Sequence, residues 1–440
     1  MTRRVLLVSY FFPPLGGAGV QRTVKFARYL PEFGWEPLVV TGPGVTGDRW
    51  APLDESLAED TRGVEVIRTP GTLPVESGGG RLTNILRKAQ GQSAFARWWP
   101  PAAVSAARSA PAADVVLVTM SPFETAKAAA MIARTRGVPW VADLRDPWAL
   151  DEMFVYPTSL HRRWAEREMR RDLASASAIV MNTPEARARL LDRFPEFGDR
   201  PVVVISNGYD ASDFTLPPPV RDDDCFWIVH TGYLHTESGI ELRNRGRLRR
   251  MAGGAVAGLD MLTRSHVMLL DAVEDLGTRS DLARGLQLHL AGVTSDEDRR
   301  ISSGMVRFHG YLPHSESIAL IRKADLLFLP MHDLPTGKRA TIIPGKTYEY
   351  LAAGRPILAA VPDGDARDLL AAAGNAYLVR PSDVRSMTRA LVLAIEAKSG
   401  KVRMDPAPAE MLARYERRYL TGQVAALLDH VVSGESVDSD

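Results

Sequence analysis

The sequence predicts an α/β protein made of two doubly wound domains that face each other. Three observations carry this. Short apolar runs of strand character alternate with amphipathic helical segments along nearly the whole chain. The alternation breaks once, at the proline-rich, acidic stretch Leu216-Pro217-Pro218-Pro219 to Asp222-Asp223-Asp224, and restarts behind it with a strand and a glycine turn, Phe226 to Gly232. At 440 residues the chain is also too long for one ordinary hydrophobic core.

Composition narrows the class. The hydrophobic fraction of 45% and charged fraction of 24% are those of a globular protein, and a formal net charge of +1 argues against a general nucleic-acid binder. Cys225 is the only cysteine, so internal disulfides and cysteine metal clusters are ruled out, which suits a reducing compartment. No apolar run approaches the roughly 20 residues of a membrane span. Arg3-Arg4 followed by Val5 to Phe12 imitates a signal peptide, but Pro13-Pro14 ends the apolar part, and the segment reads as a buried first strand.

In order, Val5 to Tyr10 is a parallel-type strand, and Phe11 to Gln21, with Gly16, Gly17 and Gly19, is a glycine-rich turn opening a helix to about Leu30. The turn has the shape of an anion or sugar cradle. It is not the dinucleotide fingerprint, because the glycine spacing differs and no acidic residue closes the next strand, Pro37 to Thr41. Strands follow at Val64–Ile67, Val115–Thr119 and Pro139–Asp143, with a helix from Glu124 to Arg136. The stretch Arg81 to Ala110 holds five cations, no acid and the pair Trp98-Trp99. It reads either as a membrane-surface segment interrupted by Pro100-Pro101 or as a solvated helix with core tryptophans.

Asp143, Arg145 and Asp146 directly follow a strand, which places their charges at the carboxyl edge of the sheet, where open α/β folds bind ligands. A structural Arg–Asp pair is the alternative. A basic helix from His161 to Ala174 reads as a solvated face, and strands at Ala178–Asn182 and Val202–Ile205 complete the first half. The second half has strands at Phe226–Gly232, Leu286–Gly292, Val306–Gly310, Leu326–Pro330 and Ile357–Val361, and a final helix from Glu410 to Val432. Expected boundaries are therefore 1–205 for the first domain, 206–224 for a hinge, 225–405 for the second domain, 406–432 for a helix that packs back on the first, and 433–440 for a disordered tail.

The unit Ile343 to Pro356 is the focus of the second half. Pro344 and Gly345 shape the entry to a helix over Lys346–Ala353, Gly354 stands where a left-handed cap belongs, and Pro356 forbids continuation. Free N–H groups at its start, the Lys346 ammonium and Glu349 one turn on suit a phosphate with a ribose beside it. Solvated charges on an ordinary helix are the alternative.

In this order, Gly16-Gly17, Asn207-Gly208-Tyr209-Asp210, His230-Thr231-Gly232, Phe308-His309-Gly310-Tyr311-Leu312 and Lys346 to Pro356 resemble the bacterial GT-B glycosyltransferases of family 4, over essentially the whole chain. The resemblance implies two Rossmann-like domains across a cleft, and retaining transfer of a sugar from a nucleotide diphosphate donor in the C-terminal domain to an acceptor held mainly by the N-terminal one. It further implies Glu349 on the donor ribose and backbone near Tyr311 and Leu312 at the base. Gly232, Arg264, Gly345, Lys346 and Thr347 would surround the diphosphate, and Gly16 and Gly17 would approach the donor. Asp143, Arg145 and Asp146 would orient the sugar and acceptor hydroxyl rather than act as nucleophiles. No cofactor and no metal are expected, the nucleotide sugar being a co-substrate. The implied role is surface polysaccharide or lipid-linked glycan synthesis in the cytoplasm, with a peripheral contact at the inner membrane face as a further reading and no nucleic acid. A sugar-nucleotide epimerase and a catalytically silent nucleotide- or partner-binding scaffold are the alternatives.

Two departures from the family pattern stand out. The upstream glutamate often present in the motif is replaced by Thr341, so sugar recognition must differ, with Lys346 a partial substitute. An arginine-rich insertion spans His235 to Met261. It reads as a solvated or mobile loop, with a clamp on acceptor pyrophosphate or membrane phosphates as the functional alternative. His230, His289 and His309 read as packed or capping residues rather than metal ligands.

Overall fold

In the computed structural model, which describes residues 3–45, 52–71, 94–245, 252–400 and 404–434, the apolar runs become two all-parallel sheets. The first contains β1 (Arg3–Ser9), β2 (Trp35–Thr41), β3 (Glu65–Arg68), β4 (Val115–Met120), β5 (Trp140–Leu144), β6 (Ala178–Met181) and β7 (Val202–Val204). Their order is β3-β2-β1-β4-β5-β6-β7. Helices α1 (Ala18–Tyr29), α2 (Ala94–Ser109), α3 (Thr125–Arg136), α4 (Ser159–Leu173) and α5 (Pro184–Arg193) connect the strands. Every residue of β4 and β5 is buried, the reason these strands read as unbroken apolar runs rather than as alternating ones. The chain reverses its direction of growth between β1 and β4, which makes the carboxyl ends of these two strands the switch point of the sheet.

The second sheet holds β8 (Phe226–Thr231), β9 (Leu286–Ala291), β10 (Val306–Gly310), β11 (Leu326–Pro330), β12 (Ile357–Ala360) and β13 (Ala376–Val379), in the order β10-β9-β8-β11-β12-β13. Between them run α6 (Thr236–Arg243), α7 (Val267–Arg279), α8 (Asp296–Arg300), α9 (His314–Lys323), α10 (Lys346–Ala352), α11 (Asp365–Ala373) and α12 (Val384–Lys398), followed by α13 (Ala409–Ala413) and α14 (Arg417–Ser433). The sequence reading missed β13. It is a short edge strand, mostly half-buried, and lacks the run of apolar residues that marks the central strands.

The division into units differs from the expected continuous domains. One unit comprises the chain up to Leu150, Leu160–Asn207 and the chain from Arg417; the other comprises Asp151–Ser159 and Gly208–Glu416. The expected final helix is two helices, and the longer, α14, buries Leu420, Val424, Leu427 and Leu428 in the same cluster as Val20, Val24 and Ala27 of α1. The stretch expected as a hinge, 206–224, is largely part of the second unit. Arg221 pairs with Asp325 at 2.7 Å, His314 meets Asp213 at 2.9 Å, and the Tyr209 N–H donates to the Tyr415 carbonyl. Charged and backbone groups of this stretch are thus bonded within the second unit. Residues 435–440 of the expected tail lie outside the described residues.

The interior takes up Trp99, and Trp98 is half-buried beside it. Trp99 is fully buried and donates its indole N–H to Thr125 Oγ1 at 2.9 Å, and Trp98 packs with Phe95 and Tyr10. Core packing accounts for the pair without a lipid surface, and α2 runs through both prolines. Arg81, Arg87 and Lys88 of that stretch lie outside the described residues. Among the described residues no helix is long and apolar enough to cross a membrane. The described part of the basic insertion is ordered: α6 lies in it, and Arg243 pairs with Asp260 at 2.6 Å. Arg247, Arg249 and Arg250 lie outside the described residues.

Candidate active site

In the second unit the carboxyl edge of the sheet gathers cations. Lys346 opens α10, and its Nζ lies 3.2 Å from His230 Nε2 at the end of β8. His230 Nδ1 is 2.9 Å from the Phe328 carbonyl, which can only accept, so Nδ1 carries the proton and Nε2 accepts from the lysine. Burial holds the His230 pKa well below its ordinary value, and the Lys346 charge acts in the same direction. Burial likewise pushes Lys346 down to about 7, aided by the charge of Arg264 and opposed by Glu349. His235 is also held well below its ordinary value, by burial first and then by Arg264, His332 and Lys346. A desolvated lysine beside imidazoles kept neutral, with Arg264 near enough to lower its pKa, forms a site that favours an anion.

Gly232 shapes the floor of this site. Its φ of 98° lies in the region that side chains avoid, and a Cβ there would sit 2.7 Å from Lys346 Nζ. Tyr350 OH accepts from the Thr231 N–H at 2.9 Å and ties α10 to β8. Helix α10 begins and ends where the residues predict, with Gly354 left-handed behind it. Its start offers fewer free donors than expected: the Thr347 N–H donates to the Pro344 carbonyl at 2.9 Å and the Tyr348 N–H to Gly345 at 3.3 Å. Thr347 is buried, and its Oγ1 has no partner among the described residues. Glu349 is half-buried one turn into the helix. Tyr311 and Leu312 directly follow β10 at the same edge, with Leu312 against the core. Arg264 lies in the turn before α7 and donates to Met153 Sδ at 2.8 Å.

In the first unit the charged trio divides. Asp143 is 1% exposed, and its two carboxylate oxygens accept from Arg22 Nε at 3.1 and 2.9 Å and from Nη2 at 2.7 Å. Arg22, on α1, also donates to the carbonyls of Ile205 and Ser206. Arg145 is buried as well, with its guanidinium spent on the carbonyls of Met120, Ser121 and Gly19. Burial lowers its pKa, and Asp146 and Asp143 oppose the shift. Asp143 and Arg145 therefore brace the switch point, and Asp146 is the member left half-exposed. Gly16 is buried and donates its N–H to the Pro52 carbonyl at 2.7 Å; Gly17 caps α1.

Sequence reasoning did not find Arg22, Glu152 or His332. An arginine inside an amphipathic helix carries no mark of a partner more than a hundred positions away, and Glu152 stands in a stretch with no motif.

Residues 16–208 match the glycosyl transferase 4-like domain and residues 254–397 the glycosyl transferases group 1 domain. The chain is similar to a glycogen synthase of Mycobacterium tuberculosis, at 22% identity over 95% of this chain and 90% of the relative. Among solved structures it resembles a sucrose-phosphate synthase from Thermosynechococcus elongatus, with a TM-score of 0.64 at 14% identity over 98% of this chain and 100% of the other. It also resembles the Anabaena protein HepE, solved in complex with UDP-glucose, with a TM-score of 0.61 at 14% identity over 97% and 99% of the two chains. The two matched domains follow one another in a chain of two doubly wound parallel-sheet units, and the chain belongs to the GT-B glycosyltransferases.

Proposed function

We propose that the chain is a retaining glycosyltransferase that moves a sugar from a nucleotide diphosphate sugar to an acceptor hydroxyl in surface polysaccharide or lipid-linked glycan synthesis. The observation that carries this is the Lys346–His230–Arg264 cluster over Gly232 at the carboxyl edge of the second sheet. In this reading Lys346, Arg264 and backbone at Gly232 and Gly345 hold the diphosphate, Glu349 takes the ribose hydroxyls, and backbone at Tyr311–Leu312 meets the base. The bond between the anomeric carbon and the phosphate oxygen breaks with its electron pair on the diphosphate. The acceptor oxygen bonds to that carbon on the same face, and its proton passes to the departing oxygen. Fixed cations stabilise the leaving charge, so the reaction needs neither metal nor cofactor. Asp146 is the member of its trio that would reach substrate, with Asp143 and Arg145 holding its loop. The work is placed in the cytoplasm, with the acceptor held mainly by the first unit. The name of the relative solved with UDP-glucose makes uridine diphosphate sugars the first donors to try.

The test is a melting series against nucleoside diphosphates and sugar nucleotides without added metal, followed by product anomer analysis. A ligand at about 100 times its Kd adds about 2.7 kcal/mol of stability. No shift with any nucleotide removes the donor site from this reading. Conversion of the donor without acceptor would instead favour an epimerase.

Two outcomes follow from the site. Gly232→Ala forces a strained φ and displaces the lysine, so nucleoside diphosphate affinity falls about tenfold or more while the variant still folds. Calorimetric titration reads this, and an unchanged Kd would show that Lys346 does not face the ligand. The second concerns pH. A diphosphate favours the ammonium, whereas the empty site releases its proton near 7, so binding takes up a proton above that pH. Affinity should weaken by up to about tenfold per pH unit above neutrality, and Lys346→Met should flatten the profile. The same shift raises the stability of the empty protein with pH between about 7 and the ordinary lysine value, because there the unfolded chain holds the proton that the folded one lacks.

A further inference from the structure

Position 341, where the family motif often has a glutamate, is occupied by a buried threonine, yet a carboxylate stands against it. Glu152, 3% exposed, accepts from the Thr341 N–H at 2.9 Å and from the Thr341 hydroxyl at 2.6 Å. It also accepts from His332 Nε2 at 3.2 Å. Burial would raise its pKa, but the hydrogen bonds from His332 and Thr341 hold it at about 2. The carboxylate is therefore ionised throughout the working range.

Glu152 arrives on a strap, Asp151–Ser159, that belongs to the second unit although the chain on either side of it belongs to the first. The strap is pinned by the Tyr156 N–H to the Gly254 carbonyl at 2.9 Å and the Ser159 N–H to the Ala252 carbonyl at 2.8 Å. The approach is so close that a Cβ on Gly254 would lie 1.9 Å from the Tyr156 carbonyl oxygen. The residue after Glu152, Met153, is the acceptor of the Arg264 guanidinium. One short strap thus contacts both the 332–341 loop and a cation of the candidate donor site.

Because a carboxylate only accepts, His332 Nε2 must carry the proton. Burial keeps the fully buried imidazole neutral, so Nδ1 is left as an acceptor, and it has no partner among the described residues. A buried acceptor without a donor is destabilising, and a ligand hydroxyl would satisfy it.

We propose that Glu152 is a positioning residue for the sugar of the donor. It supplies from the strap the carboxylate absent at position 341, and it orients His332 so that Nδ1 accepts a donor-sugar hydroxyl. This rests on the donor site proposed above and adds the residues that read the sugar rather than the nucleotide.

The experiment compares nucleoside diphosphate and sugar nucleotide binding, with steady-state kinetics, in wild type, Glu152→Gln, His332→Phe and the exchange Glu152→Ala with Thr341→Glu. Glu152→Gln and His332→Phe should weaken sugar nucleotide binding, or raise its KM, by about tenfold or more, with nucleoside diphosphate affinity unchanged. The exchange should recover most of the loss. If Glu152→Gln does not fold, Thr341→Val, which removes only the hydroxyl bond, should give the same split at smaller size. Equal loss for both ligands, no loss for either, or an exchange that recovers nothing would overturn the assignment and leave Glu152 a structural clasp. A wild-type protein that binds no nucleotide would fail the donor reading itself, whereas wild-type binding with unaltered variants fails only this inference.

Discussion

Lys346→Ala is expected to lower kcat/KM for the sugar nucleotide by about a hundredfold to a thousandfold, the effect of removing one preorganised group that meets developing charge. Glu349→Ala should lower it as well, mainly through donor affinity. The lysine variant should melt no lower than wild type near neutral pH, because its ammonium is held in a desolvated position beside Arg264 with a neutral histidine as its hydrogen-bond partner. Loss of activity without loss of stability is the signature of a group placed for a ligand rather than for the fold. Near-normal turnover in both variants would sink the donor assignment. Calorimetric titration with the nucleoside diphosphate tells loss of binding from loss of chemistry: if the diphosphate still binds Lys346→Ala normally, the lysine acts only once the leaving charge develops.

Arg22→Met should have the largest effect on stability, about 3–5 kcal/mol, because it strands the Asp143 carboxylate and the carbonyls of Ile205 and Ser206 in the interior. The pair is 3% and 1% exposed, so solvent screening does little to soften the loss. Replacing both partners, Arg22→Met with Asp143→Leu, should recover much of it, since removing a buried pair together leaves no unpaired charge. Urea unfolding followed by circular dichroism reads these differences. A loss below about 1 kcal/mol in Arg22→Met would mean that water reaches the pair. The contrast with Lys346 is physical. Each guanidinium nitrogen of Arg22 is bonded inside the protein, two of them to a buried carboxylate, whereas Lys346 meets a neutral histidine.

How much was legible follows from the range over which each signal acts. The central strands are buried on both faces, so their apolar runs, at β1, β4, β8 and β11 for example, are written in the local sequence. Helix α10 was legible for the same reason, since Pro344, Gly354 and Pro356 act on the backbone next to them. The cluster around Lys346 was partly legible: the lysine and Glu349 lie in one motif, while the partner His230 stands at the end of a different strand. Asp143 shows the limit. A charged residue at a strand end reads alike whether it meets substrate or an internal arginine, and Arg22 is 121 positions away.

The sequence by itself determined the two doubly wound units, the family, and the loop–helix–strand unit over Ile343 to Val361, because these depend on local periodicity, turn chemistry and motif order. Only the tertiary structure decided that Asp143 pairs with Arg22 and Arg145 with backbone carbonyls, that α14 packs with α1, and that Glu152 stands at Thr341. Each of these is a pairing across a long stretch of chain, selected by the requirement that every buried polar group find a partner, and no local pattern encodes which partner that is.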